Sequence, residues 1–254
     1  MRAKQLMLEK ILGLFLAFSF STAFAAGNTP LQLPNPSEPG LPKNPPFYGK
    51  QMCYETGFHC VQLRPTDTWS GLWPNHRERD IIMRLNRSNV ELKYRKWVVV
   101  PNDVENMTSM SIAPFPLQIF PPKQKEVVVN LNLQAYGAYN SDGKLIFWGP
   151  ATEGKSFCPD ENRACPTPTG VFRVFRKGGE DCISHSFPIV DNGGSPMPYC
   201  MFFHGGSAIH GAEVPGIPSS HGCVGVYDDD ARWLNENFVD AGVQDGTTVI
   251  VLKY

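Results

Sequence analysis

The chain has 254 residues, 42% of them hydrophobic, with 23 lysines and arginines against 24 aspartates and glutamates and a formal net charge of -1. That length allows one sizeable domain and a small one. A charge so nearly balanced excludes bulk electrostatic attraction to nucleic acid or to an anionic membrane.

The first element in chain order is a leader. Arg2, Lys4 and Lys10 precede an apolar run from Ile11 to Phe20, followed by Ala23, Phe24 and Ala25, the order of a cleavable export signal, assigned to residues 1–25. The run is about half of the roughly 20 apolar residues that a membrane span needs, so no membrane span is expected. Without the leader, 20 basic and 23 acidic residues remain. Residues 26–48, rich in proline and lacking an aromatic before Phe47, read as an extended linker.

Between Cys60 and Val104, Asp67-Thr68-Trp69 opens a short helical pattern and Ile81, Ile82 and Leu85 mark a second. Trp97 to Val100 is a β-rich run stopped by Pro101. This strand-helix-helix-strand order resembles a LysM module, with Asp67-Thr68, Leu85-Asn86, Asn89, Leu92 and Val98 to Pro101 in that family's places and Thr66 where it has glycine. The resemblance implies glycan docking by residues 49–104; a small packing domain without a ligand is the alternative. Residues 105–124 are expected as a linker.

From residue 125 to 254 the pattern is mainly β. Val127 to Leu133 alternates, Ser141-Asp142-Gly143 supplies a turn, and Lys144 to Gly149 returns. Further strands are expected at Thr169–Arg176, Pro198–Phe203 and Thr247–Leu252. One helix, capped by Asp228, carries Ala231, Leu234 and Phe238 at helical spacing. A β-sandwich or barrel with one flanking helix is the expected architecture.

Seven cysteines in an exported chain meet oxidising conditions. Sequential pairing joins Cys53 to Cys60, Cys158 to Cys165 and Cys182 to Cys200, leaving Cys223. Six cysteines allow 15 pairings, so adjacency is a preference. An unpaired thiol there is either used or buried as an inert core residue. His210, His221 and Cys223 lie close in sequence, but neither Cys-x-x-Cys nor His-Glu-x-x-His spacing is present, so no metal is expected.

Ser220-His221-Gly222-Cys223 resembles the signature of the L,D-transpeptidase, or YkuD, catalytic domain. Val127, the stretch from Pro166 to Phe172, Met197-Pro198-Tyr199, Ile209-His210-Gly211 and the helix after the signature follow in that family's order. The resemblance implies a cysteine-dependent transferase acting on peptidoglycan. Cys223 would be the nucleophile, His210 its general base, the Gly211 carbonyl the orienter of that base, and Gly222 an oxyanion amide. Ser220 and His221 would shape the loop, or Ser220 would serve turn chemistry alone. His204, Tyr199 and Gly225 would line the substrate site, with His204 the second candidate base.

The implied donor is a tetrapeptide stem that loses D-alanine and forms 3-3 cross-links. The acceptor is a stem amine, a wall-anchored protein or, for carboxypeptidase activity, water. No cofactor is implied, a monomer in the periplasm or cell envelope is expected, and a non-catalytic peptidoglycan-binding or surface protein stays open. At Gly225 the family usually has Arg or Asn, a role that Arg173, Arg176 or Arg232 would have to fill.

Overall fold

The computed structural model describes residues 47–188, 191 and 193–253. The expected signal, and the expected linker up to residue 46, lie outside the described residues.

The amino-terminal part of the described chain is a small βααβ unit. β1 (Phe58–Gln62) and β2 (Trp97–Pro101) pair antiparallel with Phe58 opposite Pro101. Between them, α1 (Trp69–Leu72) starts where the Thr68 hydroxyl accepts the Gly71 amide at 3.1 Å, and α2 (His76–Leu85) where the Asn75 side chain accepts the amides of Arg77 and Glu78. Each cap satisfies donors that a helix start leaves unpaired. Ile82, Leu92, Val98 and Val100 form the core with Trp69, and the Cys53–Cys60 disulfide ties the preceding turn to β1.

The larger part is mainly β. Its strands are β3 (Glu126–Asn130), β4 (Ala135–Tyr139), β5 (Leu145–Thr152), β6 (Gly170–Arg173), β7 (Arg176–Lys177), β8 (Met201–His204), β9 (Ser207–Gly211), β10 (Val224–Val226) and β11 (Thr248–Leu252). They form one sheet of order β6-β11-β3-β4-β5-β10-β9-β8-β7. α3 (Asp228–Trp233) follows β10 and runs into a π-turn, Leu234–Phe238. Val127, Val129, Ile209, Val224, Val226, Ala231 and Leu234 meet in its core.

Four expectations are corrected. β4 and β10 were not anticipated: β4 is buried on both faces, so Ala-Tyr-Gly-Ala-Tyr shows no alternation, and β10 has only three residues. The strand expected over Thr169–Arg176 is split into β6 and β7, which stand at opposite ends of the strand order. Asp228 is the first helical residue, with Tyr227 at the cap making no side-chain bond.

Finally, residues 105–124 are not a free linker. Met110, Ile112, Phe115 and Ile119 pack on Tyr139, Leu145 and Trp148, and the Trp148 indole donates to the Ser109 carbonyl at 2.6 Å.

The small unit is bonded into the sheet rather than tethered to it. Arg84 of α2 donates to both carboxylate oxygens of Asp230, at 2.9 and 2.7 Å, and to the Trp148 carbonyl at 3.2 Å. Burial works against its charge, and Asp230 with Asp80 outweighs that, holding the guanidinium above its ordinary range. Arg87, fully buried, reaches the Leu133 carbonyl at 2.9 Å and lies over the rings of Tyr48 and Trp148.

Candidate active site

The site is built by one short parallel pairing. β10 runs beside β9 with Val224 opposite Ile209, Gly225 opposite His210 and Val226 opposite Gly211. Side chains alternate across a strand. Val224, Val226 and Ile209 take the core face, which leaves His210 and Gly225 on the other, beside a cleft of about 990 Å³ that both line together with Cys223, Ser220, His221 and Gly222.

Three disulfides, Cys53–Cys60, Cys158–Cys165 and Cys182–Cys200, use six of the cysteines, and Cys223 is free. Its thiol lies over the β8–β9 turn and donates to the Gly206 carbonyl at 3.8 Å. Burial pushes that thiol above its ordinary value, and a backbone bond from Ala208 works the other way.

The His210 ring has a fixed tautomer. Nδ1 lies 2.8 Å from the Gly211 carbonyl oxygen, which can only accept, so Nδ1 carries the proton and Nε2 keeps its lone pair in the neutral ring. Burial pulls the ring below its ordinary value, against the Gly211 bond and the nearby Asp228 carboxylate. Between the two titrations thiol and imidazole are both neutral. That is the starting state for a base that takes its proton as the sulfur attacks.

The signature loop is pinned from several sides. Ser220 Oγ donates to the Cys223 carbonyl at 2.6 Å and accepts the Gly222 amide at 3.1 Å. The expected oxyanion role of Gly222 is therefore corrected, because this turn bond takes its N–H. The amides of Ser219 and Ser220 both donate to the Glu153 carbonyl at 3.0 Å, and Gly222 adopts a φ of 121°, which favours glycine.

His221 does not serve as a free base: its Nε2 is 2.6 Å from Asp160 Oδ2 and its ring lies tilted against that of Phe187, centroids 4.1 Å apart. That contact holds the Asp160 carboxyl below its usual range. Cys158, Asp160 and His221 come within 4.8 Å of one another, but the Cys158 sulfur is in a disulfide and offers no thiolate to a metal.

Two expected site residues lie elsewhere. His204 packs its ring 4.9 Å from Phe172, on the side of the second, apolar hollow formed by Val171, Phe172 and Phe203. Tyr199 is placed beside Glu180 and Arg232, where burial and Glu180 push its phenol up, and it does not line the cleft. The next residue, Cys200, is fixed by its disulfide, and a φ of 57° at Tyr199 goes with that turn.

Nor do the three candidate arginines reach the cleft. Arg173 bonds Gln124 and the Gly246 carbonyl, Arg176 lies over Phe202, and Arg232 pairs with Glu236. Arg163 lines it instead, half-exposed and paired with the buried carboxylate of Glu161, on the loop closed by Cys158–Cys165.

Sequence reasoning also missed Thr167, whose hydroxyl accepts the Gly154 amide at 2.9 Å and donates to the Cys223 carbonyl at 3.2 Å. Its position inside Pro166 to Phe172 was the available signal.

The sequence profile of the YkuD family, described as the L,D-transpeptidase catalytic domain, matches residues 124–251. Among solved structures, an L,D-transpeptidase from Xylanimonas cellulosilytica is 25% identical, covering 61% of this chain and 71% of its own, at a TM-score of 0.47. One from Stackebrandtia nassauensis is 27% identical, covering 52% and 56%, at 0.38. Another from Mycobacterium tuberculosis is 21% identical, covering 51% and 57%, at 0.39. The chain thus spans little more than half the length of the last two. No curated protein matches it.

Proposed function

The chain belongs to the YkuD family of L,D-transpeptidase catalytic domains, and from that premise we propose that it transfers peptidoglycan stem peptides through a thioester on Cys223. The observation that supports this most is that the free Cys223 and a His210 whose Nδ1 is occupied by the Gly211 carbonyl line one cleft.

In this reading His210 Nε2 accepts the thiol proton as Cys223 Sγ adds to the carbonyl carbon between the L-centre of diaminopimelate and the terminal D-alanine. The carbon–nitrogen bond then breaks, the proton passes to the leaving amine, and D-alanine departs. An amine acceptor adds to the thioester, His210 takes a proton from it, and Cys223 leaves as thiol. A stem amine as acceptor gives a 3-3 cross-link, a protein amine an anchored protein, and water a carboxypeptidase product.

The three disulfides fit an extracytoplasmic setting. With the leader-like segment Arg2 to Ala25 they favour export to the cell envelope.

The test is incubation of purified protein with a carbapenem and with tetrapeptide stems. A covalent adduct on Cys223 and D-alanine release, both lost in Cys223→Ala, are expected. Neither adduct nor release from the wild type would sink the reading and leave a non-catalytic wall protein.

A further inference from the structure

The twelve residues between His210 and Cys223 have two sets of anchors. On one side are the end of β5 and its continuation: Thr152 Oγ1 donates to the Ile217 carbonyl at 2.9 Å, and the Glu153 carbonyl takes the amides of Ser219 and Ser220. On the other side stands the βααβ unit. The Asn89 side chain accepts the Val214 amide at 2.8 Å while the Asn89 amide donates to the Val214 carbonyl at 3.1 Å.

The Tyr48 amide donates to the Gly216 carbonyl at 3.1 Å. Gly216 comes so close that a Cβ there would lie 3.0 Å from the Asn86 carbonyl oxygen, at a φ of 78°. Asn86 is itself fixed, donating to the carbonyls of Ile82 and Val99 and accepting the Val99 amide. Val214 is fully buried.

From this we infer that Asn89 is a positioning residue for the thiol-imidazole pair, and that the βααβ unit acts as a brace on the loop that spans base and nucleophile. Asn86 and Asn89 were among the residues whose resemblance to a LysM module implied glycan docking. Here the Asn86 side chain is bonded within its own unit, to α2 and β2, and the Asn89 side-chain oxygen to the loop. Asn89 touches neither reacting atom: it acts by fixing Val214, in the segment that joins them. The inference rests on the assignment of His210 as base.

The test uses the full chain and reads the alkylation rate of Cys223 by iodoacetamide across pH, a reaction that needs no wall substrate. In the wild type the rate near neutral pH depends on His210. Asn89→Ala is expected to lower that rate about tenfold, a fraction of what a misplacement of about 1 Å can cost. It should leave the rate unchanged at high pH, where the thiolate forms without a base.

Asn89→Asp, which keeps an oxygen to accept the Val214 amide, should restore the wild-type profile. If Asn89→Ala lowers the melting temperature while its pH profile overlays the wild type, or if Asn89→Asp fails to rescue, the brace has no part in positioning. A wild-type profile already identical to that of His210→Ala would overturn the base assignment, and this inference with it. Failure of stem-peptide turnover alone would overturn only the substrate reading.

Discussion

Gly225 faces His210 across the parallel β10–β9 pairing, and a Cβ at Gly225 would lie 2.9 Å from both Ala212 Cβ and Thr152 Cγ2. The departure from the expected Arg or Asn is therefore matched by its surroundings, since Thr152 and Ala212 fill the space a side chain would need. Gly225→Arg should lower the rate of carbapenem acylation about tenfold or more and destabilise the fold by about 1–3 kcal/mol. Adduct formation timed by mass spectrometry and a thermal melt check this, and a more active arginine variant would show that the glycine is a defect.

Substitution separates the two candidate bases. Burial holds His210 below its ordinary 6.5 and Cys223 above its ordinary 9.0. Acylation should rise as His210 loses its proton, with a midpoint below 6.5, and then stay flat toward 9. His210→Ala should remove that limb and lower the neutral rate by about 10²–10⁴, while His204→Ala keeps both rate and limb. A limb that follows His204 would reassign the base.

Arg163 is the arginine that lines the cleft. Arg163→Gln should raise the KM for a donor ending in a free carboxylate by about tenfold, in keeping with a lost charge-assisted hydrogen bond. For the same donor with that carboxylate capped as an amide, the KM should stay near that of the wild type. Steady-state kinetics with the paired donors decide it, and equal effects on both would remove the carboxylate role.

Glu153 ties stability to pH through the same loop. Burial pushes its carboxyl from an ordinary 4.5 up to about 8. Below 4.5 folded and unfolded chains both hold the proton, so nothing is lost. Between 4.5 and 8 the unfolded chain releases it and the folded chain keeps it, so the Glu153 contribution falls as pH rises. Glu153→Gln should be more stable than the wild type by about 3 kcal/mol at pH 8 and equal to it at pH 4. Urea unfolding at both values measures this, and parallel losses in the two proteins would exclude it.

How far the sequence was legible follows from how local each signal is. Cys223 stood out because its six companions pair between neighbours in sequence, and His210 with Gly211 because Ile209-His210-Gly211 resembles a local family pattern that needs no knowledge of the fold. His204 and Tyr199 misled because their placement depends on what packs against them: Phe172 for one, the turn leading to the Cys182–Cys200 disulfide for the other. The helices of the βααβ unit could be read from capping and spacing. Its attachment to the sheet could not, since the Arg84–Asp230 pair spans 146 positions and has no periodicity to announce it.

The environment of Cys223 has a meaning for the life of the chain before catalysis. While three neighbouring pairs are being oxidised, the seventh sulfur must stay out of exchange. Exchange proceeds through thiolate, and burial disfavours that form of Cys223 in the folded chain. The burial that disfavours the thiolate therefore also slows exchange of this sulfur with the three neighbouring pairs.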